Sequence, residues 1–92
     1  MSLIIKAVKI EPAVVVKIYE KHSVSSEEIE MVLMEDKPVF KKVGGNQYVA
    51  VGLWDRYLTI FFEYNSNAKE AVVTTAYPSS KKQIKSYKRL TR

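Results

Sequence analysis

The spacing of apolar residues switches between two periods along the chain. From Ser2 to Ile10, Leu3, Ile5 and Ala7 alternate with Ile4, Lys6 and Val8, the spacing of a strand. Pro12 then suits the first position of a helix in which Val15, Ile18 and His22 share one face beside Val14. The run Ala13-Val14-Val15-Val16 favours a strand by propensity alone, so this helix rests on its periodicity. A second helix is announced by a capping box, Ser25 with Glu28, and by Val24 and Ile29 placed as a hydrophobic staple. Glu27, Glu28 and Glu30 suit the positive end of its dipole, Ile29, Val32 and Leu33 give its apolar face, and Pro38 ends it.

Beyond Pro38 the period falls to two. Val39–Val43, Gln47–Trp54, Tyr57–Tyr64 and Glu70–Tyr77 read as strands, joined by turns at Gly44-Gly45-Asn46, Asp55-Arg56 and Asn65-Ser66-Asn67. Connections this short imply antiparallel neighbours. Pro78 breaks the pattern, and Ser80 with Gln83 repeats the capping-box spacing to open a last helix with Ile84, Tyr87 and Leu90 facing inward. The expected fold is α+β over residues 1–92 as a single domain: an antiparallel sheet, two N-terminal helices and one basic C-terminal helix.

Charge changes the picture more than composition does. The net charge is +5, yet residues 1–76 carry nine Lys/Arg against ten Asp/Glu. The excess therefore lies wholly in residues 77–92, as Lys81, Lys82, Lys85, Lys88, Arg89 and Arg92 with no acid among them. Such asymmetry suits a polyanionic partner, although a solvated basic tail has the same composition. With no cysteine and one histidine, disulfides, thiolate metal sites and cysteine nucleophiles are excluded, and neither metal nor cofactor is expected. Lys6 and Lys9 interrupt the N-terminal apolar run, so neither a signal peptide nor a membrane span is expected, and a cytoplasmic location is.

Lys81 and Lys82 fall in the first turn of the last helix, where free backbone N–H groups already make a positive end. Two cations there cost about 0.3–1 kcal/mol each, which an anion such as phosphate would offset. Tyr77 and Tyr64 end strands near turns and are candidates for base stacking, whereas Tyr87, Phe40, Phe61 and Phe62 read as packing. This inventory is poor for most reactions but adequate for RNA cleavage, because RNA supplies its own nucleophile, the 2′-hydroxyl. The protein need only align the strand and stabilise developing charge.

The stretch Lys21-His22-Ser23-Val24-Ser25-Ser26-Glu27-Glu28-Ile29-Glu30-Met31-Val32-Leu33 resembles the KHGV-S/T-x-EE segment of BrnT-type toxins. The ending Thr75-Ala76-Tyr77-Pro78-Ser79-Ser80-Lys81-Lys82-Gln83, with Tyr87 beyond it, is similar to that family's S-A-R-x-x-T-R-R-E-x-x-x-Y. The resemblance implies a RelE-like fold and a cytoplasmic endoribonuclease (mRNA interferase) of a toxin–antitoxin pair. It further implies metal-free cleavage of mRNA and a cognate antitoxin. Two positions depart from the motif: Tyr77 replaces arginine and Gln83 replaces glutamate. On this reading Tyr77, Lys81, Lys82 and His22 are the candidate catalytic residues, and Lys21, Arg56, Tyr64, Lys85, Lys88 and Arg89 would bind RNA. Two other readings stay open, a non-catalytic RNA-binding module and a protein-interaction domain whose basic helix docks on an acidic partner. A homodimer is equally open.

Overall fold

The computed structural model describes residues 3–34 and 38–90, the side chains of Ser86 and Leu90 apart. The inward position expected of Leu90, and the ends of the chain at Ser2 and Arg92, lie outside the described residues. The elements run β1 (Ala7–Lys9), α1 (Pro12–His22), α2 (Ser26–Met34), β2 (Val39–Gly44), β3 (Gln47–Leu53), β4 (Tyr57–Asn65), β5 (Glu70–Pro78) and α3 (Lys81–Leu90). Among the described residues no helix is long and apolar enough to cross a membrane.

The helices begin where local chemistry allows. Pro12 opens α1 behind an extended Glu11, and Ser23 closes it in the left-handed region at φ 55, its N–H donating to the Tyr19 carbonyl. Both arms of the α2 capping box form, Glu28 N–H to Ser25 Oγ at 3.2 Å and Ser25 N–H to Glu28 Oε1 at 3.4 Å. The staple residues Val24 and Ile29 are both buried. The valines of α1 stay helical because Ile18 is driven into the core, a case of burial outweighing propensity.

The sheet order is β1-β5-β4-β3-β2, and its first pairing corrects the expected architecture. Strands β2 to β5 are antiparallel, but β1 lies parallel to β5, with Ala7 opposite Glu70 and Lys9 opposite Val72, so the sheet is mixed. The antiparallel expectation followed from short connections, and β1 has none: two helices separate it from β2 and free it to join the far edge. It is also far shorter than Ser2–Ile10, covering only three residues. In β5 a bulge sets Thr74 and Thr75 against Phe61, so that Val73 and Ala76 both face one side and Tyr77 the other.

Two faces result. The inner face carries Phe40, Ala50, Leu58, Ile60, Phe62 and Tyr64, packed with Ile18 of α1 and with Ile29, Val32 and Leu33 of α2. Each of the larger aliphatic side chains buried there contributes about 1.5–3 kcal/mol. The outer face carries α3. Phe61 belongs to this side and is only half-buried, not part of the core as its sequence suggested. Trp54 leaves the end of β3 for the turn and is exposed.

Candidate functional site

The N-terminus of α3 is fixed by a chain of hydrogen bonds whose direction can be read atom by atom. The Ser80 backbone N–H donates to Gln83 Oε1 at 2.8 Å, and Gln83 N–H donates back to Ser80 Oγ at 3.2 Å, completing the second capping box. A backbone N–H can only donate, so the Gln83 oxygen must face it. The Thr59 hydroxyl also donates to that oxygen, at 3.0 Å. Its one proton is then committed, so in the 2.8 Å contact between Thr59 and Ser79 it is Ser79 that donates. Thr59 is fully buried, and an unpaired hydroxyl there would cost about 1–3 kcal/mol. Threading it between Ser79 and Gln83 removes that penalty and ties α3 to the middle of β4.

With its oxygen engaged, Gln83 turns its amide nitrogen to Tyr77, donating to the phenol oxygen at 3.2 Å. The Tyr77 hydroxyl is thereby an acceptor from Gln83, and its own proton points elsewhere. The Tyr77 ring stands between Phe61, centroids 6.1 Å apart, and His22, centroids 5.8 Å apart. His22 can reach it because β1 pairs with β5 only as far as Val72; beyond that the strand lies against α1. Here Val14, Lys17, Lys21 and His22 of α1 face Thr74 and Thr75 across a cavity of about 230 Å³.

The structure thus brings together His22, Lys21 and Tyr77 from opposite ends of the sequence, beside the helix head that carries the exposed Lys81 and Lys82. Lys85 and Arg89 are exposed further along α3, and Lys88 sets its ammonium 5.9 Å from the Tyr57 ring centre. Tyr57 in turn meets Tyr87 edge-on at 5.6 Å, the packing role expected of Tyr87.

Two candidates do not join this group. Tyr64 is buried, its hydroxyl donating to the Ile4 carbonyl at 2.6 Å, and it offers no face to a base. Arg56 is held on the α1–α2 side. Its Nε and Nη2 grip both oxygens of Glu28 at 3.1 and 3.2 Å, and Nη2 also donates to the Ser23 carbonyl at 2.6 Å. It secures the backbone next to His22. The sequence assigned no role to Thr59, Ser79, Thr75 or Lys17. Only Thr59 left a signal there, as a hydroxyl inside an otherwise apolar and aromatic strand.

Among the described residues, no three or more histidine, aspartate and glutamate side chains are grouped to hold a metal ion. Compared with known protein families, with curated proteins and with solved structures, the chain matches none.

Proposed function

We propose that this protein is a small endoribonuclease of the BrnT-type, RelE-like class, cleaving single-stranded RNA without a metal through attack of the substrate's 2′-hydroxyl. One observation carries the reading. The two stretches that resemble the BrnT family, one around Lys21-His22 and the other from Thr75 to Gln83, meet at the Tyr77 ring. They do so beside a helix N-terminus rich in lysine. The reading of the α+β arrangement as RelE-like, the cytoplasmic location and a cognate antitoxin belong to the same proposal.

The chemistry assigns a task to each group. His22 takes the proton of the 2′-hydroxyl as the bond from O2′ to phosphorus forms. Tyr77, whose hydroxyl proton faces away from Gln83, delivers a proton to the departing 5′-oxygen as its bond to phosphorus breaks. Lys81 and Lys82, with the free N–H groups of the helix, hold the phosphate oxygens as their charge grows. Lys21 carries the neighbouring phosphate. The products are a 2′,3′-cyclic phosphate and a 5′-hydroxyl.

The test is incubation with mixed single-stranded RNA at low salt in the presence of chelator. Fragments ending in cyclic phosphate are expected, with Tyr77→Phe slower by about 10²-fold or more, the usual weight of a general acid, at unchanged RNA affinity. Cleavage by Tyr77→Phe at the wild-type rate would remove the assigned acid. A second reading, RNA binding without cutting, is favoured by the neutral Tyr77–Gln83 pair standing where the family motif has arginine and glutamate. RNA bound but left intact would select it.

A further inference from the structure

On the outer face of the sheet, α3 covers the strands only in part. Between it and the free edge at β2 lies a groove of about 290 Å³. Its floor is Val49 and Val51 of β3 with Phe61 of β4, all half-buried, and Tyr87 of α3 forms one wall. Lys41 of β2 and Lys82 of α3 line it from opposite sides. An apolar slot between two ammonium groups suits a ligand that is flat and apolar in its middle and anionic at both flanks. A nucleotide within a single strand has that form, a base between two phosphates.

The groove is also continuous with the Tyr77 site. Phe61 lines the groove and its ring packs by the Tyr77 ring, centroids 6.1 Å apart, while Gln83 lines the groove and donates to the Tyr77 hydroxyl. We infer that the groove is a nucleobase subsite, seating the base of a nucleotide that flanks the scissile phosphate, with Lys41 and Lys82 on the phosphates either side of it. The inference rests on the RNA reading above and extends it from where RNA is cut to how the strand is seated. Because the floor is aliphatic and aromatic, recognition is by stacking and burial, and it tolerates sequence.

Fluorescence anisotropy with a 2′-O-methyl single-stranded hexamer, which cannot be cleaved, tests it against an abasic sugar-phosphate oligomer of equal length and charge. The wild type should bind the base-bearing oligomer about 10-fold or more tighter, the worth of one stacked base. Val49→Gln, and independently Val51→Gln, should reduce that preference several-fold without weakening abasic binding, in proteins whose thermal midpoints show them folded. Lys41→Ala should weaken both oligomers alike and lower the salt slope by about 0.7.

If the wild type binds neither oligomer, the RNA reading itself fails. If it binds both equally, or if the valine variants and Lys41→Ala match the wild type, RNA binding stands and the groove assignment falls. Tighter binding of an alternating Leu/Glu peptide, lost in Val49→Gln while RNA binding persists, would likewise overturn the assignment in favour of a protein partner.

Discussion

At the scale of the residue, Gln83 decides which way a proton faces. Its oxygen is claimed by the Ser80 N–H and the Thr59 hydroxyl, so only its nitrogen can meet Tyr77. A carboxylate in its place would accept from Tyr77 and tie up the proton assigned to the leaving oxygen. Gln83→Glu should therefore lower kcat by about 10-fold or more with KM little changed. A purely structural role would leave the rate alone, because glutamate keeps the capping box. Tyr77 and Gln83, the two positions at which the chain differs from the motif it resembles, are in contact through a neutral hydrogen bond. Arg56→Ala should cost about 1–2 kcal/mol in urea unfolding, from the loss of charge-assisted bonds to Glu28 and Ser23, with little effect on RNA affinity. The bonds that hold Arg56 and Tyr64 were not legible in the sequence because their partners lie 28 to 60 positions away, where no spacing rule reaches.

Elements were legible wherever the signal was local. Both capping boxes form on the atoms that their three-residue spacing names, and each strand from β2 to β5 falls within a residue or two of its alternating run. The length and direction of β1 were not legible. Its alternation, Leu3 to Val8, describes a half-buried extended segment, but only backbone pairing with β5 selects the three residues that count as strand. The bulge in β5 hid the side on which Tyr77 emerges, because a regular alternation starting from Val73 would have turned it inward. The last helix differs from the other two in how it is held. Among its described side chains, Gln83, Ile84 and Tyr87 are the half-buried ones and the others are exposed lysines and an arginine. In native-state hydrogen exchange the amides of α3 should open at lower free energy than those of β4, whose Leu58, Ile60 and Phe62 lie in the core. Equal protection would show α3 to be part of the main cooperative unit.

Across the whole molecule Lys17 and Lys21 of α1 line one cavity and α3 exposes Lys81, Lys82, Lys85, Lys88 and Arg89, while Glu27, Glu28 and Asp55 line a separate cavity by Trp54. A strand of RNA laid along the basic side releases counterions, so its affinity should fall steeply with salt. The double substitution Lys81→Ala with Lys82→Ala should flatten the plot of log affinity against log salt by about 1.4, which is about 0.7 for each phosphate released. An unchanged slope would place the phosphates elsewhere. The parallel pairing of β1 with β5 also sets an order in time. The first strand to be synthesised waits for the last, and until Glu70–Val72 has emerged it has no neighbour to pair with. The apolar side of α1, which packs chiefly on β5, waits with it. A chain interrupted before Glu70 is therefore left with an orphaned strand and a first helix lacking its main support, a target for proteases, and α3 with its lysines can dock only on a sheet that is already finished.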